Sequence, residues 1–169
     1  MIISLVGYMG SGKSHVAKVL SQKLQLKIID LDKEISLKNK LSIPEIFAQK
    51  GEIYFRKQEK ETLEQILASN TSGILSVGGG TPCFYNNMET ITQHSESFFL
   101  RTSVNTLATR LIPQKNKRPL IAHIQDDDLP EFIAKHLFER NAFYGKAKFT
   151  IDTDGKNAEQ VADEIWARL

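Results

Sequence analysis

Residues 7–14 read Gly7-Tyr8-Met9-Gly10-Ser11-Gly12-Lys13-Ser14, and they fit the phosphate-binding pattern G-x-x-x-x-G-K-[ST] at every fixed position. The flanks carry equal weight. Ile2 to Val6 form a short apolar run of strand type, and Val16, Val19, Leu20 and Leu24 recur at helical spacing. Strand, glycine loop and helix together give the motif its physical meaning. Glycines let backbone N–H groups curl around an anion, and the new helix adds its positive end. In that setting Lys13 reaches the β- and γ-phosphates of a nucleoside triphosphate, and the Ser14 hydroxyl holds a magnesium ion.

Bulk properties narrow the class. A chain of 169 residues is the size of one domain and buries enough surface to fold without a metal or disulfide staple. Lys+Arg 22 against Asp+Glu 20 leaves a formal charge of +2, too small to point to nucleic acid or a membrane surface. Cys83 is the single cysteine, which excludes a disulfide framework and a multi-cysteine metal site and reads as a small packed side chain. No basic segment leads into a long apolar run, so neither a signal peptide nor a membrane span is expected. These features predict a cytoplasmic monomer.

Further along, Leu26 to Ile29 predict a second strand that ends in Asp30-Leu31-Asp32. Alternation along a strand would put both carboxylates on one face at its C-terminal end, where open α/β sheets bind ligands. One would organise magnesium and the other orient or deprotonate an acceptor hydroxyl; the plainer alternative is that one of them caps the next helix. Ser42 and Glu45 spell a capping box, Leu41 and Ile46 are placed for a hydrophobic staple, and Gly51 ends that helix. A longer helix is expected over 53–68. Arg56, near Phe47 and Phe55, reads equally as a surface charge with a buried stem or as a bidentate clamp for a carboxylate.

Ile74 to Val77 predict a third strand, followed at once by Gly78-Gly79-Gly80. That is either a plain turn or a place where backbone approaches a ligand closely. Ser97 to Leu100 predict a fourth strand, and Ser103 caps a helix through Leu111. Residues 112–125 lack periodicity and carry Pro113, Lys115, Lys117, Arg118 and Pro119, which describes a solvated loop or a lid. A second capping box is expected at Asp128 and Glu131. Ile133, Leu137, Arg140 and Tyr144 then share a helical stripe, so Arg140 should meet either a protein carboxylate or an anionic ligand. A last short strand, Phe149 to Ile151, precedes a helix whose Ala158, Val161, Ala162, Ile165, Trp166 and Leu169 form one apolar stripe. The alternation predicts a three-layer α/β/α fold with a parallel sheet of about five strands, of the phosphate-loop kinase type.

Taken together, the chain resembles the shikimate kinase family. The likeness is carried by 7–14, the D-L-D of 30–32, E-I-F-A-Q-K-G-E at 45–52, Y-F-R at 54–56, S-V-G-G-G at 76–80, R-P-L at 118–120 and E-R-N-A-F-Y at 139–144. It implies a single domain over 1–169, a substrate-binding segment at 31–60 and a lid at 112–125. The implied reaction moves the ATP γ-phosphate to the 3-hydroxyl of shikimate, with Mg2+. By that resemblance Lys13, Asp32 and Arg118 serve catalysis. Asp32, Phe47, Phe55, Arg56, Gly78, Gly79, Gly80 and Arg140 hold shikimate. Gly10, Ser11, Gly12, Lys13, Ser14, His15, Arg110, Arg118 and Asp154 hold ATP, and Ser14 with Asp30 organises the metal. Two features depart from the family pattern: His15 stands where a threonine is usual, and Asp154-Gly155-Lys156 replaces a commoner basic form. Rival readings are another small-metabolite kinase, such as a gluconate kinase, and a nucleotide-binding regulatory module that has lost catalysis.

Overall fold

Alternation of short apolar runs with amphipathic stretches produces alternation in space. A computed structural model describes residues 1–169. Five strands, β1 (Ile2–Val6), β2 (Ile28–Asp30), β3 (Gly73–Ser76), β4 (Glu96–Arg101) and β5 (Phe149–Asp152), form one sheet in the order β2-β3-β1-β4-β5. All neighbours are parallel, with Leu5 opposite Ser76 on one side and Phe98 on the other. Strand β1 is buried along its whole length, which is why it reads as an unbroken apolar run rather than an alternating one.

Period-two alternation sorts its side chains into two cores. Ile3 and Leu5 join Ile74, Phe98, Leu100 and Ile151 under α1 (Lys13–Leu24) and α8 (Ala158–Trp166), which supply Val16, Leu20, Val161 and Ile165. Ile2 and Val6 face the larger core, with Leu75, Val77 and Phe99. That core is closed by α2 (Leu31–Asn39), α3 (Ile43–Lys50), α4 (Glu52–Ala68), α5 (Asn87–His94), α6 (Val104–Leu111) and α7 (Leu129–Tyr144). No helix is long and apolar enough to cross a membrane.

The expected Ser42–Glu45 capping box forms, with both reciprocal bonds present. Several expectations are corrected. Strand β2 spans only Ile28–Asp30, and Asp32 lies in the first turn of α2 rather than on a strand. Asp30 takes the capping role: its Oδ1 accepts the Lys33 N–H at 3.2 Å. The box at Asp128 and Glu131 does not form. Residues Asp126–Asp128 make a 3₁₀ turn, Asp128 has helical φ and ψ with no side-chain cap, and Glu131 pairs with Lys135 at 3.4 Å instead. On α8, Ile165 is buried but Trp166 and Leu169 are exposed, because the helix ends at Trp166. A 3₁₀ turn at Thr81–Cys83 and α5, unforeseen from the sequence, complete the path from β3 to β4.

Residues 112–125 are ordered by their own backbone. A 3₁₀ turn, Ile112–Lys117, continues α6 directly. Arg118 then accepts from the N–H groups of Ile121 and Ala122. An ion pair between Lys115 and Asp126 joins the start of the segment to its end. Ile121 is its one fully buried side chain. Truncating such an anchor costs on the order of 2–5 kcal/mol. Ile121→Ala should therefore speed tryptic cleavage at Lys115 and Lys117 well ahead of global unfolding. Cleavage no faster than in the parent would show that the segment is held by its turns alone.

Candidate active site

Parallel topology brings the C-terminal ends of β1, β2 and β3 together, and the loops leaving them build one cleft of about 800 Å³. The phosphate loop takes the backbone shape that its glycines permit. Gly7, Gly10 and Gly12 have φ of 152°, 80° and 93°, in the left-handed region that side chains disfavour. A Cβ on Gly7 would also lie 3.0 Å from the Leu100 carbonyl oxygen. Lys13 folds back over the loop, its Nζ donating to the carbonyls of Gly7 at 2.7 Å and Tyr8 at 3.0 Å. Burial, reinforced by repulsion from Arg118 and Arg140 and opposed by Asp32, brings its ammonium down to about 7. Buried Ser11 Oγ has no hydrogen-bond partner.

The three glycines after β3 are each matched to one functional side chain. An added Cβ would lie 3.7 Å from Asp32 Oδ1 at Gly78, 3.3 Å from the Arg140 guanidinium at Gly79 and 2.9 Å from that of Arg56 at Gly80. The absence of side chains here lets a carboxylate and two guanidiniums gather around one backbone segment. Burial, with the nearby charges of Glu59 and Asp30, pushes the Asp32 carboxyl up to about 6, against the pull of Arg56 and Lys13.

Arg56 is held for a purpose other than surface solubility. It donates to Glu59 Oε1 at 2.8 Å and stacks on Phe84 at 3.8 Å, with Phe55 at 5.1 Å. Glu59 is itself buried and accepts from Thr81 Oγ1 at 2.7 Å. Arg140 by contrast takes part in no ion pair. Its guanidinium carbon lies 5.8 Å from the centre of the Tyr8 ring. Arg118 likewise has no carboxylate: its Nε is buried without a partner, and one terminal nitrogen reaches Gln114 at only 3.4 Å. Unpaired guanidiniums at a phosphate loop are what anionic ligands require.

The sequence-derived residues therefore converge, with distinctions. Gly10, Ser11, Gly12, Lys13, Ser14, His15, Asp30, Asp32, Gly78, Gly79, Arg110 and Arg118 line the cleft. Gly80, Arg56 and Arg140 adjoin it, and Phe47 stacks on Phe55 at 4.6 Å behind Arg56. Asp154 does not line it. Its Oδ1 accepts the Ser103 N–H at 3.1 Å, while Thr153, Lys156 and Asn157 form that wall. Reading the sequence missed Glu59, Thr81, Phe84, His136 and the Tyr144 hydroxyl, which donates to the Gly79 carbonyl at 2.6 Å. Only Glu59 left a local signal, three residues after Arg56 on one helix.

No group of three His, Cys, Asp or Glu side chains is placed to hold a metal ion. Ser14 and Asp30 instead border the phosphate loop, a donor set that suits magnesium, which keeps most of its shell as water and phosphate oxygens.

Known proteins accord with this geometry. A family model described as shikimate kinase matches residues 9–169. The chain belongs to the shikimate kinase family. A shikimate kinase of Flavobacterium johnsoniae is 44% identical over 165 residues, covering 96% of this chain and 95% of that one. The crystal structure of a shikimate kinase from Bacteroides thetaiotaomicron superposes with a TM-score of 0.89 at 32% identity, covering 99% and 97% of the two chains. One from Acinetobacter baumannii in complex with shikimate gives 0.85 at 32% identity, covering 99% and 91%. Family membership and a parallel sheet flanked by helices settle the fold as that of a phosphate-loop kinase, with ATP as co-substrate.

The lowered Lys13 has a measurable consequence. Near pH 8 its amine is mostly neutral in the free protein, whereas phosphates beside it favour the ammonium. Nucleotide binding at pH 8 should take up close to one proton, and at pH 6 almost none. Calorimetric titration in buffers of different ionisation enthalpy measures this, and equal uptake at both pH values would place the lysine well above neutrality in the free state.

Proposed function

We propose that the chain catalyses magnesium-dependent transfer of the ATP γ-phosphate to the 3-hydroxyl of shikimate, giving shikimate 3-phosphate and ADP on the route to chorismate and the aromatic amino acids. The observation that carries this reading is the matching of Gly78, Gly79 and Gly80 to Asp32, Arg140 and Arg56 beside the phosphate loop. One carboxylate faces hydroxyls, and two guanidiniums face a carboxylate. Other phosphate-loop kinases that act on uncharged or phosphorylated acceptors have no use for that combination.

In this mechanism Arg56 and Arg140 grip the shikimate carboxylate, and Phe47 and Phe55 wall the ring. Glu59 keeps Arg56 extended toward the glycine loop. Asp32 accepts hydrogen bonds from the acceptor hydroxyl, orients it and takes its proton as the new P–O bond forms. Lys13 moves from the loop carbonyls to the phosphates, and Arg118 closes from the lid, so that both neutralise charge on the transferring group. The backbone N–H groups of 10–14 cradle the phosphates, while His15, Arg110 and the 153–157 turn border the nucleotide. Asp154 acts there indirectly, through the cap of α6. Ser14 and Asp30 would hold magnesium, directly or through water, and the ion would offset negative charge between the β- and γ-phosphates. The enzyme is read as a cytoplasmic monomer with no nucleic-acid or membrane partner.

The deciding experiment follows ADP release with ATP and magnesium against shikimate, gluconate, a nucleoside monophosphate and no acceptor. Turnover confined to shikimate is expected; turnover with gluconate, itself a carboxylate, would overturn the choice of acceptor, turnover with the nucleoside monophosphate would overturn the carboxylate clamp, and binding of ATP with no turnover would favour a regulatory role. Arg140→Ala removes charged hydrogen bonds worth about 1.5–3 kcal/mol. It should raise the shikimate KM about 10- to 100-fold and leave the ATP KM nearly unchanged.

Because Asp32 must be ionised, kcat/KM for shikimate should fall about tenfold per pH unit below about 6. Asp32→Asn should lower kcat by about 10²–10⁴ with the fold intact. Near-normal turnover in that variant would remove Asp32 from the chemistry.

A further inference from the structure

Tyr8, the second residue of the phosphate loop, is held at both ends. Its carbonyl accepts from Lys13 Nζ at 3.0 Å. Its hydroxyl lies 2.8 Å from His136 Nδ1, 128 residues away on α7. The two rings meet edge to face at 5.3 Å, and Phe132 closes the other side of the imidazole at 5.4 Å. Tyr8 is almost wholly buried. Burial pushes its phenol up to about 12, so it keeps its proton. Burial and Arg140 hold the His136 ring below its usual value, favouring a neutral imidazole whose Nδ1 shares one proton-bearing hydrogen bond with the phenol.

His136, Arg140 and Tyr144 stand four residues apart on one face of α7. Each touches the site's backbone or its rings: His136 holds Tyr8, Arg140 lies over the Tyr8 ring, and Tyr144 holds the Gly79 carbonyl. A phosphate entering the loop competes with the Gly7 and Tyr8 carbonyls for Lys13. Releasing the Tyr8 carbonyl frees one end of a residue whose other end is tied one turn before Arg140.

We propose that His136 is a positioning residue which, through its hydrogen bond to Tyr8, makes the setting of the Arg140 guanidinium depend on whether the phosphate loop is filled. This rests on the reading of Arg140 as the clamp for the acceptor carboxylate. The coupling is reciprocal, as any binding linkage must be: filling the acceptor site alters nucleotide affinity by the same factor. The imidazole does not line the cleft and exerts its effect through Tyr8.

The test is shikimate affinity, by calorimetry, with and without saturating magnesium ADP in the parent, Tyr8→Phe, His136→Phe and His136→Asn. ADP should shift the parent's shikimate Kd by about fivefold or more, the lower end of common coupling factors. The factor should fall below about twofold in both phenylalanine variants, with no further loss when they are combined. His136→Asn, whose amide oxygen can accept near the Nδ1 position, should restore it. A merely structural histidine would lower the melting temperature and leave the factor unchanged, and that result overturns the proposal, as does a parent without coupling.

A second readout needs no shikimate. ADP alone should move the His136 Nδ1 resonance in a 15N spectrum of the parent and leave it unmoved in Tyr8→Phe. An insensitive parent resonance overturns the link. A responsive resonance in a protein that does not phosphorylate shikimate would support the link while refuting the substrate reading. Should His136→Phe fail to fold, Tyr8→Phe, which loses a single oxygen, decides the matter.

Discussion

Burial of the Lys13 amine beside Arg118 and Arg140 is the constraint on which the site depends. The fold gathers these cations at one end of a parallel sheet, and Asp32 is the carboxylate set against Lys13 there. Without an anion the charges are accommodated by weaker means. Lys13 bends onto two carbonyls, Arg140 lies over a tyrosine ring, and Arg118 leans on a glutamine of its own segment. Arg56 alone has a buried carboxylate, Glu59. Each makeshift partner can be exchanged for phosphate or carboxylate oxygens at little cost, so the free protein is prepared for ligands with several negative groups.

That arrangement explains why parts of the molecule could be read from the sequence and others could not. The phosphate loop was legible because strand, glycines, lysine and helix are consecutive in the chain, so their geometry is local. The Ser42–Glu45 box was legible for the same reason. The D-L-D triplet misled because one hydrogen bond, from Lys33 N–H to Asp30, starts the helix earlier than strand alternation suggests. Asp32 nonetheless reaches the cleft, from the first turn of α2, with its carboxylate beside Gly78. The Asp128–Glu131 pair had the right spacing, but buried Leu129 and the preceding 3₁₀ turn fixed the backbone in a form that offers no cap.

Contacts across long sequence separations were the hidden part. Thr81 with Glu59, Tyr144 with Gly79, and Tyr8 with His136 join residues 22, 65 and 128 positions apart. No periodicity announces them, since each partner satisfies its local pattern without the other. Arg140 was ambiguous for a related reason: its helical stripe placed it inward, but only the assembled sheet shows that no protein carboxylate meets it. The resemblance to shikimate kinases pointed to residues that, Asp154 apart, gather in and around one cleft, and the three-dimensional arrangement shows how each is held.

The one-to-one matching of Gly78, Gly79 and Gly80 with three different side chains also bears on which sequence changes the fold can absorb. Lengthening or shortening that loop by one residue would move every pairing out of step at once, bringing a Cβ-bearing neighbour against a guanidinium. Gly51, which turns the chain between α3 and α4 with φ of 85° and open space around it, is constrained instead by its backbone conformation and by its N–H bonds to the Ile46 and Phe47 carbonyls. Insertions and deletions in descendants of this chain should therefore spare the β3 exit. Divergence in acceptor specificity would then proceed by exchanging the side chains that face the glycines, with the loop's length held constant.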